Sequence, residues 1–265
     1  MTSSHAAGPA WAAFPHPDKS YRYSAAALRK HWAQLHRGDR EPLPQQPAVL
    51  EAWRLHHAGD FQSACEAGLA LGMDGWNAAH KAAMIHAHYL ETDPAARLER
   101  LQAVARRCAE QQKARPTDAN AFYLEAYALG RYSQGISVVQ ALAQGLGGRI
   151  RAALERALEI DAQHADAHCA LGAFQAEVID KVGALVGRLS YGATRDGAAA
   201  HCRRALELVP DSAIFAVEWA RAMELLYGPS RRAEVQRLRS QAAAATALDA
   251  MERLDVELAR SLVPG

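Results

Sequence analysis

Tyr123, Tyr127 and Arg131 recur every four positions, which on a helix puts their side chains on one face. Tyr132 and Gln134 follow them directly. Tyrosine supplies a large rigid contact surface and arginine a fork of donors, so this face is suited to holding a ligand or a partner chain. The same tyrosines are equally suited to packing against the apolar segment that follows them.

Other candidate groups carry less chemistry. His56, His57, His80, His86, His88, His164, His168 and His201 are many for a chain of this size. His164 and His168 have the four-residue spacing at which two imidazoles can share a metal. There is no HExxH, and His80, His86 and His88 miss the helical spacing, so no metal site is expected. The run Gly145-Leu146-Gly147-Gly148-Arg149 has glycines that can expose backbone N–H groups to a phosphate. It lacks the Lys-Ser/Thr of a phosphate-binding loop and is expected to be a turn. No GxSxG is present, and His168-Cys169 and His201-Cys202 are adjacent pairs whose side chains diverge on a helix. No catalytic residue and no cofactor are expected. Cys65, Cys108, Cys169 and Cys202 form no CxxC pair and read as small buried residues of a reducing, cytoplasmic setting.

The elements that position these groups are helices. Of 265 residues, 59 are alanine, the best helix former, whereas the β-branched residues number only 12 Val, 6 Ile and 5 Thr, too few to build a sheet. Thirty Lys+Arg against 29 Asp+Glu leave a net charge of +1, which gives no global field for nucleic acid or an anionic membrane. The basic residues are 25 Arg and 5 Lys, as a GC-rich genome would encode. No window approaches 18 uninterrupted apolar residues, and the first 20 lack the apolar core of an export signal. Neither membrane insertion nor export is expected.

Along the chain, residues 1–20 contain Pro9, Pro15 and Pro17 and read as a flexible lead on which Trp11 or Phe14 can dock. Residues 21–46 hold a short helix, capped by Ser24 and stopped at Gly38, then a linker from Pro42 to Pro47. Residues 47–228 carry a repeat. Ala119-Asn120-Ala121, Ala165-Asp166-Ala167 and Ala213-Ile214-Phe215 open three helices at steps of 46 and 48, each with a small residue at a fixed later position, Ala126, Gly172 and Ala220. Arg156-Ala157-Leu158-Glu159-Ile160 and Arg204-Ala205-Leu206-Glu207-Leu208 close two preceding helices in nearly the same words. In residues 229–265, Leu248, Met251, Leu254, Leu258 and Leu262 give a one-sided helix suited to capping an array.

This grammar resembles the tetratricopeptide repeat, most clearly over Ala157 to Gly172 and at Ala58-Gly59-Asp60-Phe61-Gln62-Ser63-Ala64, the family's turn between helix A and helix B. The resemblance implies an all-α, TPR-like solenoid of antiparallel helix pairs. The units run 12 to 14 residues beyond the family's period of about 34, through apolar, glycine-punctuated inserts at 135–148 and 181–192. Long units with such inserts also resemble the divergent tetratricopeptide proteins that include the T-component of some TRAP-type transporters. Those T-components are exported lipoproteins, whereas no signal or lipidation cysteine is expected here.

By the family's pattern, the concave surface is formed by Asn120, Tyr123, Tyr127 and Arg131, then Asp166, Cys169 and Glu177, then Arg221 and Glu224. A carboxylate clamp for chaperone tails is not expected, because Tyr123/Tyr127, Cys169/Ala173 and Val217/Arg221 stand where the clamp's residues would be. The first functional expectation is a non-enzymatic scaffold that binds a protein segment in this groove. The second is a small-molecule carrier whose inserts close an apolar pocket near Tyr123, Tyr127 and Tyr191. A metal protein using the histidines is the third.

Overall fold

The computed structural model describes residues 11–263. Within them the chain is all-helical, with no strand. The α-helices are α1 (Ala25–Leu35), α2 (Pro47–His57), α3 (Phe61–Ala70), α4 (Trp76–Tyr89), α5 (Pro94–Ala114), α6 (Ala119–Gln134), α7 (Val138–Ala143) and α8 (Leu146–Ile160). They continue as α9 (Ala165–Val182), α10 (Ala184–Tyr191), α11 (Arg195–Leu208), α12 (Ala213–Tyr227), α13 (Arg232–Ala243) and α14 (Ala250–Ser261).

Local chemistry starts these helices. The side chains of Ser24, Asp93, Asp118, His164, Thr194, Ser212 and Asp249 accept hydrogen bonds from first-turn amides that have no partner within the helix. Pro47 and Pro94 occupy first helical positions, where their missing N–H costs nothing. Gly59 takes φ +85° between α2 and α3, and Phe14 packs directly over it.

Packing follows the small residues. α3 lies on α4, α5 on α6, α6 on α8, α9 on α11 and α12, and α12 on α13. Ala64, Ala157, Ala205 and Ala220 are fully buried at such contacts. At Gly172 a Cβ would overlap Cys202 Sγ and sit 2.9 Å from the Ala198 carbonyl, so α9 and α11 can approach only because that side chain is absent. The inserts contain short helices: 135–148 includes α7, between α6 and α8, and 181–192 includes α10, between α9 and α11.

Two features differ from an open array. Residues 1–10 of the expected flexible lead lie outside the described residues, but within 11–20 two side chains dock, Trp11 under the Arg100 guanidinium and Phe14 edge-on to Phe61. The last helix does more than cap one end. α14 touches α2 as well as α12 and α13, and a hydrogen bond of 2.7 Å joins His57 Nδ1 to Asp249 Oδ2 across 192 positions. Tyr23 donates to the Leu248 carbonyl at 2.8 Å, and Arg37 pairs with Glu252 at 2.6 Å. First and last elements are thereby clasped together.

Candidate functional site

The inner surface of the helices carries two different environments. One is filled by the chain's own segment Arg37–Glu41, between α1 and α2. The Gly38 carbonyl accepts the Asp166 amide at 3.0 Å, Lys81 Nζ reaches Asp39 at 2.5 Å, and Arg40 donates to Asp161 at 2.6 Å. Glu41 accepts from Asn120 Nδ2 at 2.6 Å and from Asn77 Nδ2 at 3.0 Å, while its carbonyl takes the Trp32 indole N–H at 2.7 Å. Arg40 is the one non-glycine at positive φ (51°) among the described residues, so the bend is held by these contacts against backbone preference.

Burial and charge set the ionisation of this strap. Burial alone would raise the Asp39 carboxyl, but Lys81 and His36 outweigh it and hold it well below the carboxylate range. Burial works against the Lys81 ammonium, yet Asp39 and Asp166 keep it raised. Glu41 has no cation beside it. Its burial, with Asp39 and Asp118 nearby, pushes it up to about 8, so it is protonated at neutral pH.

The second environment is a cavity of about 270 Å³. α6 supplies Tyr123, Tyr127 and Arg131, α9 supplies Asp166, Cys169, Phe174 and Glu177, and α8 supplies Leu146, Ile150 and Leu154. α4, α12 and α14 add Lys81, Tyr89, Glu218, Met251 and Asp255. The inserts cover it with Val138, Ala141 and Leu142 of α7, with Val182 at the end of α9 and with Tyr191 at the end of α10. Gly147 admits the Tyr191 ring, since a Cβ there would lie 2.6 Å from its Cε1.

The lining separates into an apolar group and a polar cluster. Arg131 donates to Glu218 at 2.9 Å and lies over the Tyr127 ring at 5.2 Å. Burial disfavours its charge, but Tyr127 and Glu218 hold it well above its ordinary value. Tyr89 donates a short hydrogen bond to Asp255. Burial raises Asp255 to about 8, with Glu252 and Asp249 adding to the shift, so this carboxyl is neutral at pH 7 and can donate as well as accept. Asp166 is raised to about 6, chiefly by burial. This is a mostly aliphatic and aromatic chamber with a few convergent polar groups, the general composition of a small-molecule site.

The nine residues read from the sequence divide between these environments. Tyr123, Tyr127, Arg131, Asp166, Cys169 and Glu177 line the cavity. Asn120 lies outside it and serves the strap through Glu41, and also meets His164 Nε2 at 3.0 Å. Arg221 and Glu224 are not in the lining: Arg221 pairs with Glu177 at its edge at 2.6 Å, and Glu224 with Arg239 at 2.5 Å. Tyr89, Glu218 and Asp255 were missed. Asp255 left one trace, an acid set four residues after Met251 beside an apolar stripe.

The histidines are dispersed. His164 caps α9 through Nδ1, accepting the Ala167 amide, whereas His168 meets His201 Nδ1 to Nδ1 at 2.9 Å on α11. The expected shared face of His164 and His168 is not used. His56, His57 and Asp249 bring their ligand atoms within 4.8 Å of one another and are the one group among the described residues with the spacing to hold a metal. In that group His57 Nδ1 is hydrogen-bonded to Asp249, which also caps α14, so His57 and Asp249 form the clasp between α2 and α14, while both ring nitrogens of buried His56 have no hydrogen-bond partner among the described residues. Gly145 opens α8 at φ +62°, and Arg149 is paired with Glu125 at 2.6 Å and so is not turned to an anion. All four cysteines are free and buried, and burial raises each thiol.

No protein-family model matches the chain, and no curated protein matches it.

Proposed function

We propose that the protein is a non-enzymatic binding module of TPR-like helix pairs that holds a small amphipathic, mainly apolar molecule in the cavity between α4, α6, α8, α9, α12 and α14. The observation that carries this reading is the cavity itself, about 270 Å³ beneath the two inserts, with Tyr123, Tyr127 and Arg131 on its wall. Its aliphatic side would take the ligand's hydrocarbon. The tyrosine hydroxyls, the neutral Asp255 carboxyl and the Arg131–Glu218 pair would take a polar, net-uncharged head. The TPR-like reading draws support from small residues recurring at Ala126, Gly172 and Ala220, and from inserts placed alike in successive units. Fold likeness alone carries no function, so the weight rests on the site.

A protein segment in the groove is the second reading, favoured by one observation: the surface formed by Asn77, Lys81, Asn120 and the Asp166 amide already grips an extended stretch, Arg37–Glu41. A partner peptide would have to displace that strap, together with its buried Asp39–Lys81 pair, whereas a ligand in the cavity displaces nothing.

Native mass spectrometry of protein purified from its own cells tests the first reading. A discrete small-molecule adduct, lost in a Gly130→Leu variant that obstructs the cavity, is the expected result. Identical spectra for the two proteins, with only the bare chain mass in each, would count against it.

A further inference from the structure

Among the described residues, all the large apolar side chains that stand exposed, except Leu43, are on the two inserts: Val138, Val139 and Leu142 on α7, and Leu185, Val186 and Leu189 on α10. Val139, Leu185 and Leu189 are 76%, 72% and 78% exposed. Leaving such residues in water is unfavourable, and their clustering on two neighbouring inserts marks a contact surface. The segments 135–151 and 181–192 contain no acidic residue but include Arg149, Arg151, Lys181 and Arg188. Arg149 and Arg151 are turned back into pairs with Glu125 and Glu155. Lys181 meets only its exposed neighbour Asp180, at 3.5 Å, and Arg188 has no ion pair among the described residues. The two inserts also border the cavity, since Val138 and Leu142 of α7, Lys181 and Val182 at the end of α9 and Tyr191 at the end of α10 are in its lining.

We propose that α7 and α10 together form a docking surface for an anionic lipid bilayer, on which the protein sits with the mouth of its cavity turned to the membrane. Exposed aliphatic residues beside cations, with Asp180 next to Lys181 at their edge, match the boundary between headgroups and acyl chains. There apolar side chains enter the hydrocarbon margin and Lys or Arg meets lipid phosphate. Among the described residues no helix is long and apolar enough to cross a membrane, so the proposed contact is peripheral. The near-zero net charge rules out only a global attraction, whereas Lys181 and Arg188 act within a Debye length of the surface. A second copy of the chain fits less well. Two helices of six and eight residues fall short of the roughly 20–30 residues per side of a stable protein interface, and a two-fold pairing would bring like charges together. The further role of this surface as the route by which an apolar ligand reaches the cavity rests on the reading of the cavity above; the docking itself does not.

Sedimentation of the full chain with vesicles tests the docking. Phosphatidylcholine vesicles containing phosphatidylglycerol should carry the protein down, and pure phosphatidylcholine vesicles should carry much less. Lys181→Gln with Arg188→Gln should weaken binding to the anionic vesicles roughly thirtyfold, the expected worth of two surface cations. Val139→Asp with Leu189→Asp should abolish it while leaving the melting temperature unchanged, because both side chains are in solvent and outside the cavity lining. Gly130→Leu should dock like wild type even though its cavity is obstructed, which separates failure of the docking from failure of the cavity reading. Equal sedimentation of wild type and the Val139→Asp, Leu189→Asp variant would overturn the proposal. So would absence of wild type from anionic vesicles, or light scattering showing an oligomer that the same two substitutions dissociate.

Discussion

The strap side and the cavity side of the inner surface are lined by many of the same helices, yet they are finished in opposite ways. On the strap side, Asn77, Lys81, Asn120 and the Asp166 amide are all satisfied by Arg37–Glu41, and charge is buried as complementary pairs. On the cavity side, Tyr123, Tyr127 and Phe174 face a space that the chain does not fill, roofed by helices with exposed aliphatic outer faces. A polar groove occupied in cis is a structural feature. An apolar chamber left open is where an external molecule can be accommodated without undoing native contacts.

The largest effect is expected on the strap side. Lys81→Met leaves the buried Asp39 carboxylate without its ammonium partner, and such half-broken buried pairs cost about 3–5 kcal/mol. Denaturant unfolding should show this loss. A change below about 1 kcal/mol would mean that the strap is not a structural element and would reopen the groove as a peptide site.

Gly130→Leu makes the matching test on the other side. A Cβ at Gly130 meets nothing within 4 Å, the residue lies in the interior of α6, and it lines the cavity. Stability should hold or rise by up to about 1 kcal/mol, because glycine is a poor helix former. Binding of an apolar probe should fall at least tenfold. Stability lost together with binding would show that the cavity is not free space.

An intermediate effect is expected from pH. Glu41 and Asp255 have folded-state values near 8, against ordinary values of 4.5 and 3.8. Through this window the folded chain keeps protons that the unfolded chain has released, so stability falls as pH rises. Between pH 7 and 9 the loss is on the order of 1 kcal/mol per group. His36 and His164 are lowered to about 4 by burial, so acid below their ordinary 6.5 is taken up by the unfolded chain first and also destabilises. The melting temperature should therefore fall as pH rises from about 7 to 9. Glu41→Gln, on the strap side, should flatten the alkaline limb, and an unchanged slope would assign that limb elsewhere.

The smallest effect is expected at the roof. Leu189→Ala removes an exposed side chain and should alter stability by less than about 0.5 kcal/mol. A larger loss would mean that α10 is held in the fold by its outer face.

What the sequence made legible follows from how local each signal is. The four-residue recurrence of Tyr123, Tyr127 and Arg131, the glycine that ends α2 and the two apolar inserts are written in neighbouring positions. Each has a counterpart in α6, in Gly59 and in α7 and α10. The strap was not legible. Its partners are far away along the chain, Asp39 with Lys81 and Gly38 with Asp166, and Pro42 to Pro47 reads only as a linker. The clasp of His57 with Asp249 and the pairing of Tyr89 with Asp255 span 192 and 166 positions, and no periodicity encodes such contacts. Two of the nine groove positions, Arg221 and Glu224, are engaged by Glu177 and Arg239, choices made by helix packing and not by repeat register.

The most direct measurement is a fluorescence titration of wild type and Gly130→Leu with an uncharged long-chain polyene alcohol whose emission rises on entering an apolar site. One saturable site per chain in wild type, weakened at least tenfold by Gly130→Leu with folding intact, is the predicted result. Equal binding by the two proteins, or no saturable binding by wild type, would contradict an apolar ligand site in this cavity.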